Sequence, residues 1–316
     1  MNRPTLTLRV ADVTPLTPLV KRFRFVSPDG SPLPRFSGGA HLVVEMPEGE
    51  RIRRNSYSLV SDPFDDSGYE IAVRREDNGR GGSRYMHERV TPGMDLRVAT
   101  PANFFAIEPT ARKHILIAGS IGITPFATQI AQLDRMGASY ELHYAARSRD
   151  EAAGLSLVPD AKLTTYFSAE GQRLNIGGLL TDQPMGTHVY VCGPEGLIAA
   201  VMDAGRRHGW PPSTLHSEAF TAPPPGEPFD VEIASTGQTV HVAGHQSLLE
   251  ALEAAKIELD WSCRGGACGR CETGVTDCHG QIEHNDHWLS RDDRASQRKI
   301  MPCMSRFRGE RLVLDL

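Results

Sequence analysis

Residues 263–271 read CRGGACGRC, and thirty-one further residues separate Cys271 from Cys303. The spacing C-x4-C-x2-C…C is that of plant-type [2Fe–2S] sites. Two irons bridged by sulfides need four thiolates converging on a small volume, so three come from one tight loop. Gly265, Gly266, Ala267 and Gly269 keep that loop free of bulk and let backbone N–H groups turn toward the sulfurs. Zinc sites more often show two C-x2-C pairs or cysteine–histidine mixtures, and here the second half offers Cys303 alone. Cys263, Cys268, Cys271 and Cys303 are therefore the expected cluster ligands. Cys278 falls outside the pattern and reads as a spare thiol. His284 and His287, in EHNDHW, read as a solvated polar turn rather than a metal site.

Length and composition bound what surrounds this loop. A chain of 316 residues suits two or three domains of roughly 100 residues each. Hydrophobic content of 40% and charged content of 23% are ordinary for a globular protein, and a net charge of −5 argues against a nucleic-acid binder. The opening MNRPTLTLRVADVTPL has no apolar h-region, so no signal peptide is expected. No run approaches the roughly 18 apolar residues that a membrane span needs. The expected compartment is the reducing cytoplasm, where clustered cysteines bind metal more often than they form disulfides.

Upstream of the cysteines, TAPPPGEP (221–228) reads as a semi-rigid linker. The first hundred residues are short alternating or β-branched runs, TLTLRVADVTPL, KRFRFVSP, HLVVEMPEGE, NSYSLVSDP, YEIAVRRED and DLRVATP, broken by Pro, Gly and Asp turns. That rhythm predicts an antiparallel barrel or sandwich, with one helix at 81–90 after NGRGG. Near residue 113 the texture changes. KHILIAGSIGITPFATQIAQLDRMG and HVYVCGPEGLIAAVMDAGRRHGW each give strand, glycine turn and helix, with SYELHYAARS and KLTTYFSAE between them as further strands. This alternation predicts a parallel, helix-covered sheet.

A cluster carries one electron, so a two-electron intake calls for a flavin upstream, which takes a hydride and releases electrons singly. RRNSYSLVS (53–61) fits that need. An arginine suits a phosphate, Tyr57 the face of an isoalloxazine ring, and Ser56 and Ser58 hydrogen bonds to the flavin. Either Arg53 or Arg54 can be the phosphate ligand; Arg54 is preferred, with a bulge absorbing one extra residue. Gly81, Gly82 and Ser83 open the expected helix, where free N–H groups and the dipole favour a phosphate. Two phosphate-suited features and no adenine subsite point to FMN rather than FAD.

In the α/β region the stretch 114–126 ends its strand with Gly119-x-x-Gly122-x-x-Pro125. It is not the GxGxxG fingerprint, but glycines at a strand's C-terminal end let a cofactor approach and a helix N-terminus faces its phosphates. Thr124 is placed near the nicotinamide. Cys192-Gly193-Pro194 ends a second strand at the same edge. Arg147 and Arg149, in HYAARSRDE, lie where the adenosine ribose is read, and accept either a 2′-phosphate or the pyrophosphate.

Together, RRNSYSL, NGRGGS, GSIGITP, VCGPEGL, HSEAF, the cysteine loop and LVLDL resemble the phthalate dioxygenase reductase-type family along essentially the whole chain. That resemblance implies a multidomain fold. It has an antiparallel FMN-binding β-barrel at 1–110, an α/β Rossmann-like NAD-binding domain at 111–222, the linker at 223–228 and an α+β β-grasp plant-type ferredoxin domain at 229–316. It implies that Ala72, Val73 and Arg74 line the flavin, that Phe220 stacks near its ring, and that the nucleotide is NADH rather than NADPH. In that scheme NADH docks across Gly119, Thr124 and Cys192 and meets FMN near Ser58. The implied partner is a Rieske-type terminal oxygenase. Arg264 and Arg270 read as solvated loop arginines, which would border the docking face if the cluster hands electrons to that partner. Two alternatives stay open: an FAD reductase for another oxygenase class, and an electron carrier without NADH turnover.

Overall fold

The computed structural model describes residues 4–49, 51–158, 163–220 and 225–316. Residues 221–224, most of the run read as a linker, lie outside them. In β1 (Thr5–Thr17) and β2 (Val20–Val26), Leu8, Val10, Phe23 and Phe25 are buried while Arg9 points outward to Asp95, 2.9 Å away. That period of two faces a strand onto a core on one side only. With β3 (His41–Glu48), β4 (Arg51–Ser58), β5 (Tyr69–Arg74) and β6 (Asp95–Ala99), these strands form a six-stranded sheet in the order β4-β3-β6-β1-β2-β5. Its two edges meet through a bridge between Leu59 and Ile71 and the bond from Val60 N–H to the Glu70 carbonyl, 2.8 Å. The sheet is thus a barrel, and α1 (Gly82–Arg89) packs Met86 into its core.

The second sheet is parallel: β7 (Lys113–Gly119), β8 (Tyr140–Ala146), β9 (Leu163–Phe167), β10 (Thr187–Cys192) and β11 (Leu215–Glu218), in the order β11-β10-β7-β8-β9. Ile115, Leu116 and Ile117 of the central strand are 0% exposed, because both faces are covered. Leu116 packs with Phe126 and Ile130 of α2 (Thr124–Met136), whereas Ile115 and Ile117 pack with Leu180 of α3 (Ile176–Leu180) and Val201 of α4 (Glu195–Arg207). Barrel and parallel sheet belong to one compact unit, and the C-terminal segment forms another.

That second unit holds β12 (Phe229–Ile233), β13 (Thr239–Val242), α5 (Leu248–Ala254), β14 (Thr273–Glu283), α6 (Arg291–Ser296), β15 (Lys299–Ile300) and β16 (Arg306–Leu314). Its mixed sheet runs β13-β12-β16-β14-β15, with β12 and β16 parallel and the remaining neighbours antiparallel. Leu248 and Leu252 of α5 cover it against Val231, Ile282 and Phe307. A Ser247–Glu250 capping box fixes where α5 begins.

Candidate functional site

The cysteine loop lies between α5 and β14, and its four sulfurs fall into two pairs. Cys263 accepts a hydrogen bond from the Cys268 thiol and from the N–H groups of Gly265 and Ala267, both 3.4 Å from its sulfur. These donors hold Cys263 down to about 5, and the same contact pushes Cys268 up. Cys271 and Cys303 are coupled in the same way, with Cys271 lowered by the bond from Cys303 and Cys303 raised by it. Among the described residues no three ligating side chains ring one ion-sized point. Two adjacent dithiol pairs with N–H groups aimed at a sulfur suit a two-iron cluster.

The loop is held from outside by groups that the sequence reading placed elsewhere. Arg264 does not border a surface. Its side chain is 7% exposed, it grips Glu253 of α5 through two bonds of 2.8 Å, and it stacks 4.7 Å from the Trp261 ring. Its backbone lies in the left-handed region, with φ +54°. Arg270, by contrast, is exposed. His284 is not a solvated turn residue either: its side chain is 7% exposed and lies 3.8 Å from the buried Asp286 carboxylate. Asp286 accepts from the N–H groups of Trp288 and Leu289, and the Gly266 carbonyl accepts from His287 N–H at 3.0 Å. Trp288 lies across Gly269, where a Cβ would meet its ring at 2.2 Å, so only glycine fits there. Cys278 packs against the C-terminal core, apart from the loop.

On the barrel, the pleat of β4 separates the two candidate arginines. Arg54 Nε donates to the Glu45 carboxylate of β3 at 2.9 Å, both side chains being largely buried. Arg53 shares the other face with Asn55 and Tyr57 and reaches the start of α1. A Cβ on Gly81 would stand 3.8 Å from Arg53 Nη2 and 3.7 Å from Arg84 Nη2. Arg53 rather than Arg54 thus faces the start of α1: alternation carries every second residue to the helix, and Arg54 is engaged in an ion pair with Glu45. Asn55 presses its amide against Gly82 and donates to the Tyr57 hydroxyl at 3.3 Å. Burial raises the Tyr57 phenol, which stays neutral. Ser56 is exposed on the Arg54 face. Gly81 has φ +95°, and α1 starts with no side-chain cap and no acidic residue in its first turn. Ser83 Oγ accepts from Glu76 N–H, 3.0 Å, and keeps its own proton to donate. An uncapped helix start facing two guanidinium groups fits a phosphate dianion.

On β5 only part of the expected lining faces outward. Val73 points into the barrel core, so its side chain cannot line a ligand; its carbonyl accepts from His87 Nε2 at 2.8 Å. Ala72 is buried against Val20 and Ala153, beside Ile121. Arg74 reaches Ser120 Oγ, 3.2 Å away, at the end of β7.

In the parallel sheet the strand order reverses between β7 and β10, and ligands of open α/β sheets bind outside the carboxyl ends of the strands at such a switch point. Gly119, Gly122, Thr124, Pro125, Cys192, Gly193 and Pro194 lie there. A Cβ on Gly122 would stand 2.4 Å from the Cys192 carbonyl, so that glycine lets the two loops close on each other rather than opening space for a ligand. Ser58, Thr124 and Cys192 are 5%, 2% and 0% exposed, which makes them floor rather than protruding groups. Thr124 Oγ1 donates to the Ile121 carbonyl at 2.9 Å. Burial, then the charge of Glu218, holds the Cys192 thiol neutral. Glu218, within HSEAF, lies beside Cys192 in the β10–β11 register, a pairing that the sequence does not disclose because the two residues are remote in the chain. The α2 start carries no acid, while α4 opens with Glu195, so α2 is the better phosphate seat. Arg147 is exposed just past β8, and Arg149 stacks 4.9 Å from the Phe167 ring. Phe220 is 50% exposed.

Residues 100–215 match the N-terminal domain family of dimethylamine monooxygenase subunit DmmA-like proteins, and residues 231–308 match the 2Fe-2S iron-sulfur cluster binding domain family. The solved structure of phthalate dioxygenase reductase, described as modular for electron transfer from pyridine nucleotides to [2Fe–2S], superposes with a TM-score of 0.86 at 32% identity, over 99% of this chain and 98% of that one. The chain belongs to the phthalate dioxygenase reductase-like family. The heme-dependent oxidative N-demethylase beta subunit of Ectopseudomonas mendocina is 45% identical over 98% of this chain and 99% of its own length. The carnitine monooxygenase reductase subunit of Acinetobacter baumannii is 44% identical over 97% and 96%. As a member, the chain is an oxidoreductase with a [2Fe–2S] domain and a flavin- and nucleotide-binding fold. No helix among the described residues is long and apolar enough to cross a membrane.

Proposed function

We propose that this reductase takes a hydride from NADH onto FMN and passes electrons singly through its cluster to a Rieske-type terminal oxygenase in the cytoplasm. The observation that carries the reading is a four-cysteine loop in which the N–H groups of Gly265 and Ala267 aim at the Cys263 sulfur, in one chain with a parallel-sheet switch point at Gly119 and Cys192. When bound, the flavin supplies conversion of a two-electron donor into one-electron steps. The chain's residues bind, orient and shield. Arg53, Arg84 and the α1 N–H groups hold a phosphate monoester, which favours FMN over FAD. Arg74, Ser58 and Tyr57 border the flavin. Gly119, Pro125 and Pro194 shape the nicotinamide floor, and Arg147 meets the adenosine end. Phe220 and the backbone of Ala72 complete the flavin wall. Cys192 at the switch point is a neutral buried thiol, and hydride transfer needs no proton from it.

Extracting the flavin and assaying iron and acid-labile sulfide tests the cofactor set; FAD or a single zinc ion overturns it. A second reading has support in the 45% identical relative, whose name makes it part of a heme-dependent system. Reconstitution with a Rieske oxygenase and with a haem-containing demethylase, scoring NADH-coupled substrate oxidation, separates the two partners.

A further inference from the structure

Ser120 follows β7 directly and has φ +51°, a left-handed conformation that an L residue with a side chain enters only at a cost. Nothing about chain reversal requires a side chain at this point, since glycine adopts that conformation freely. The hydroxyl is engaged, however. Arg74 Nη1, at the end of flavin-side strand β5, donates to Ser120 Oγ at 3.2 Å, while Arg74 Nε lies 3.4 Å from Glu76. The contact sits at the rim of an apolar joint in which Ala72 and Val20 from the barrel meet Ala153 and Ile121 from the parallel-sheet layer. One residue to the N-terminal side is Gly119, on the nucleotide floor.

We propose that Ser120 is a positioning residue. Its hydroxyl ties Arg74 to the turn after β7 and so fixes the spacing between the strand that borders the flavin and the loop that receives the nicotinamide. The inference rests on the hydride-transfer reading above. The apolar joint by itself resists separation of the two layers but allows sliding, because dispersion contacts have little direction; a hydrogen bond at the rim sets the register. Hydride transfer is sensitive to such register, since displacement of about 1 Å can cost on the order of a hundredfold in rate.

Ser120→Gly removes the hydroxyl and the left-handed cost together. The melting temperature is expected to stay within about 2 °C of wild type, with bound flavin and NAD+ affinity by titration changed less than about twofold. Flavin reduction at saturating NADH, followed anaerobically by stopped flow, is expected to slow about tenfold. Ser120→Ala keeps the cost and loses the bond, so it should slow equally and melt lower. Arg74→Ala combined with Ser120→Gly should be no slower than Arg74→Ala alone, because the serine acts through the arginine. A Ser120→Gly rate equal to wild type overturns the proposal. So does a slow variant that has also lost flavin or melts far below wild type, since the serine is then merely structural. If the flavin of the wild-type protein is not reduced by NADH at all, the hydride-transfer reading fails, and this inference with it.

Discussion

The cluster loop at 263–271 and strand β4 both carry arginines beside cofactor-suited residues, yet their side chains reach their places by different rules. In the loop, cysteine spacing sets the chemistry directly: three thiols within nine residues converge whatever the surroundings. Arg264 then turns inward to Glu253 and ties the loop to α5. In β4, adjacent arginines diverge because successive side chains point to opposite faces. Arg54 serves the barrel through Glu45, and Arg53 serves the start of α1. Spacing is informative where the chain turns on itself; on a strand, parity matters more than proximity.

The hardest test of the loop's independence is Cys268→Ser. Reduction of a one-electron protein acceptor such as cytochrome c should fall more than about a hundredfold with loss of the cluster's visible and EPR signals, while NADH-driven flavin reduction stays within about twofold. Loss of flavin reduction in the folded variant breaks the separation of roles. Next is the tether. Glu253→Gln leaves the Arg264 guanidinium buried without its bidentate partner, and should cost about 2–3 kcal/mol of C-terminal-unit stability by urea melts, with faster cluster loss. An unchanged melt means that Glu250, whose charge also acts on Arg264, is sufficient.

The strand's parity is tested by a matched pair. Arg53→Gln should weaken flavin binding about tenfold to a hundredfold, since a bond to a charged phosphate contributes about 1.5–3 kcal/mol, with little change in stability. Arg54→Gln should leave flavin affinity unchanged and cost about 1–2 kcal/mol by leaving the Glu45 carboxylate with Arg97, 3.6 Å away, as its remaining ion-pair partner. The opposite result reinstates Arg54 as the phosphate ligand.

What was legible follows the same division. Alternating runs announced the barrel, the buried run ILIA of β7 announced a sheet covered on both faces, and cysteine spacing announced the cluster domain. Side-chain destinations were less legible. Val73 and Ala72 are neighbours on a strand that exposes neither, and the Thr124 hydroxyl donates back to the Ile121 carbonyl of its own turn. Glu218, Arg84 and Ser120 matter through partners distant in sequence, which no local pattern discloses.

The parallel sheet offers the smallest effect, a dependence on pH. His114 on β7 is 0% exposed and tilts against the Tyr190 ring at 5.8 Å, while His188 and His216 stack beside it. Burial, then the neighbouring His188 and His216, pulls its ring down to about 4 from 6.5. The unfolded chain therefore binds a proton at this site below about pH 6.5, whereas the folded chain binds it only near 4. Stability from the neutral ring is fully present above 6.5 and lost as pH falls toward 4, with a slope of up to about 1.4 kcal/mol per pH unit. His114→Phe keeps the ring contact and removes the proton, so urea melts from pH 7 to 4.5 should show a shallower loss, by up to one proton per unfolding event. His216, also lowered chiefly by burial, keeps its own share of the slope in that variant. Equal slopes in the two proteins would mean that His114 is reached by water in the folded state, against its burial on β7 between β10 and β8.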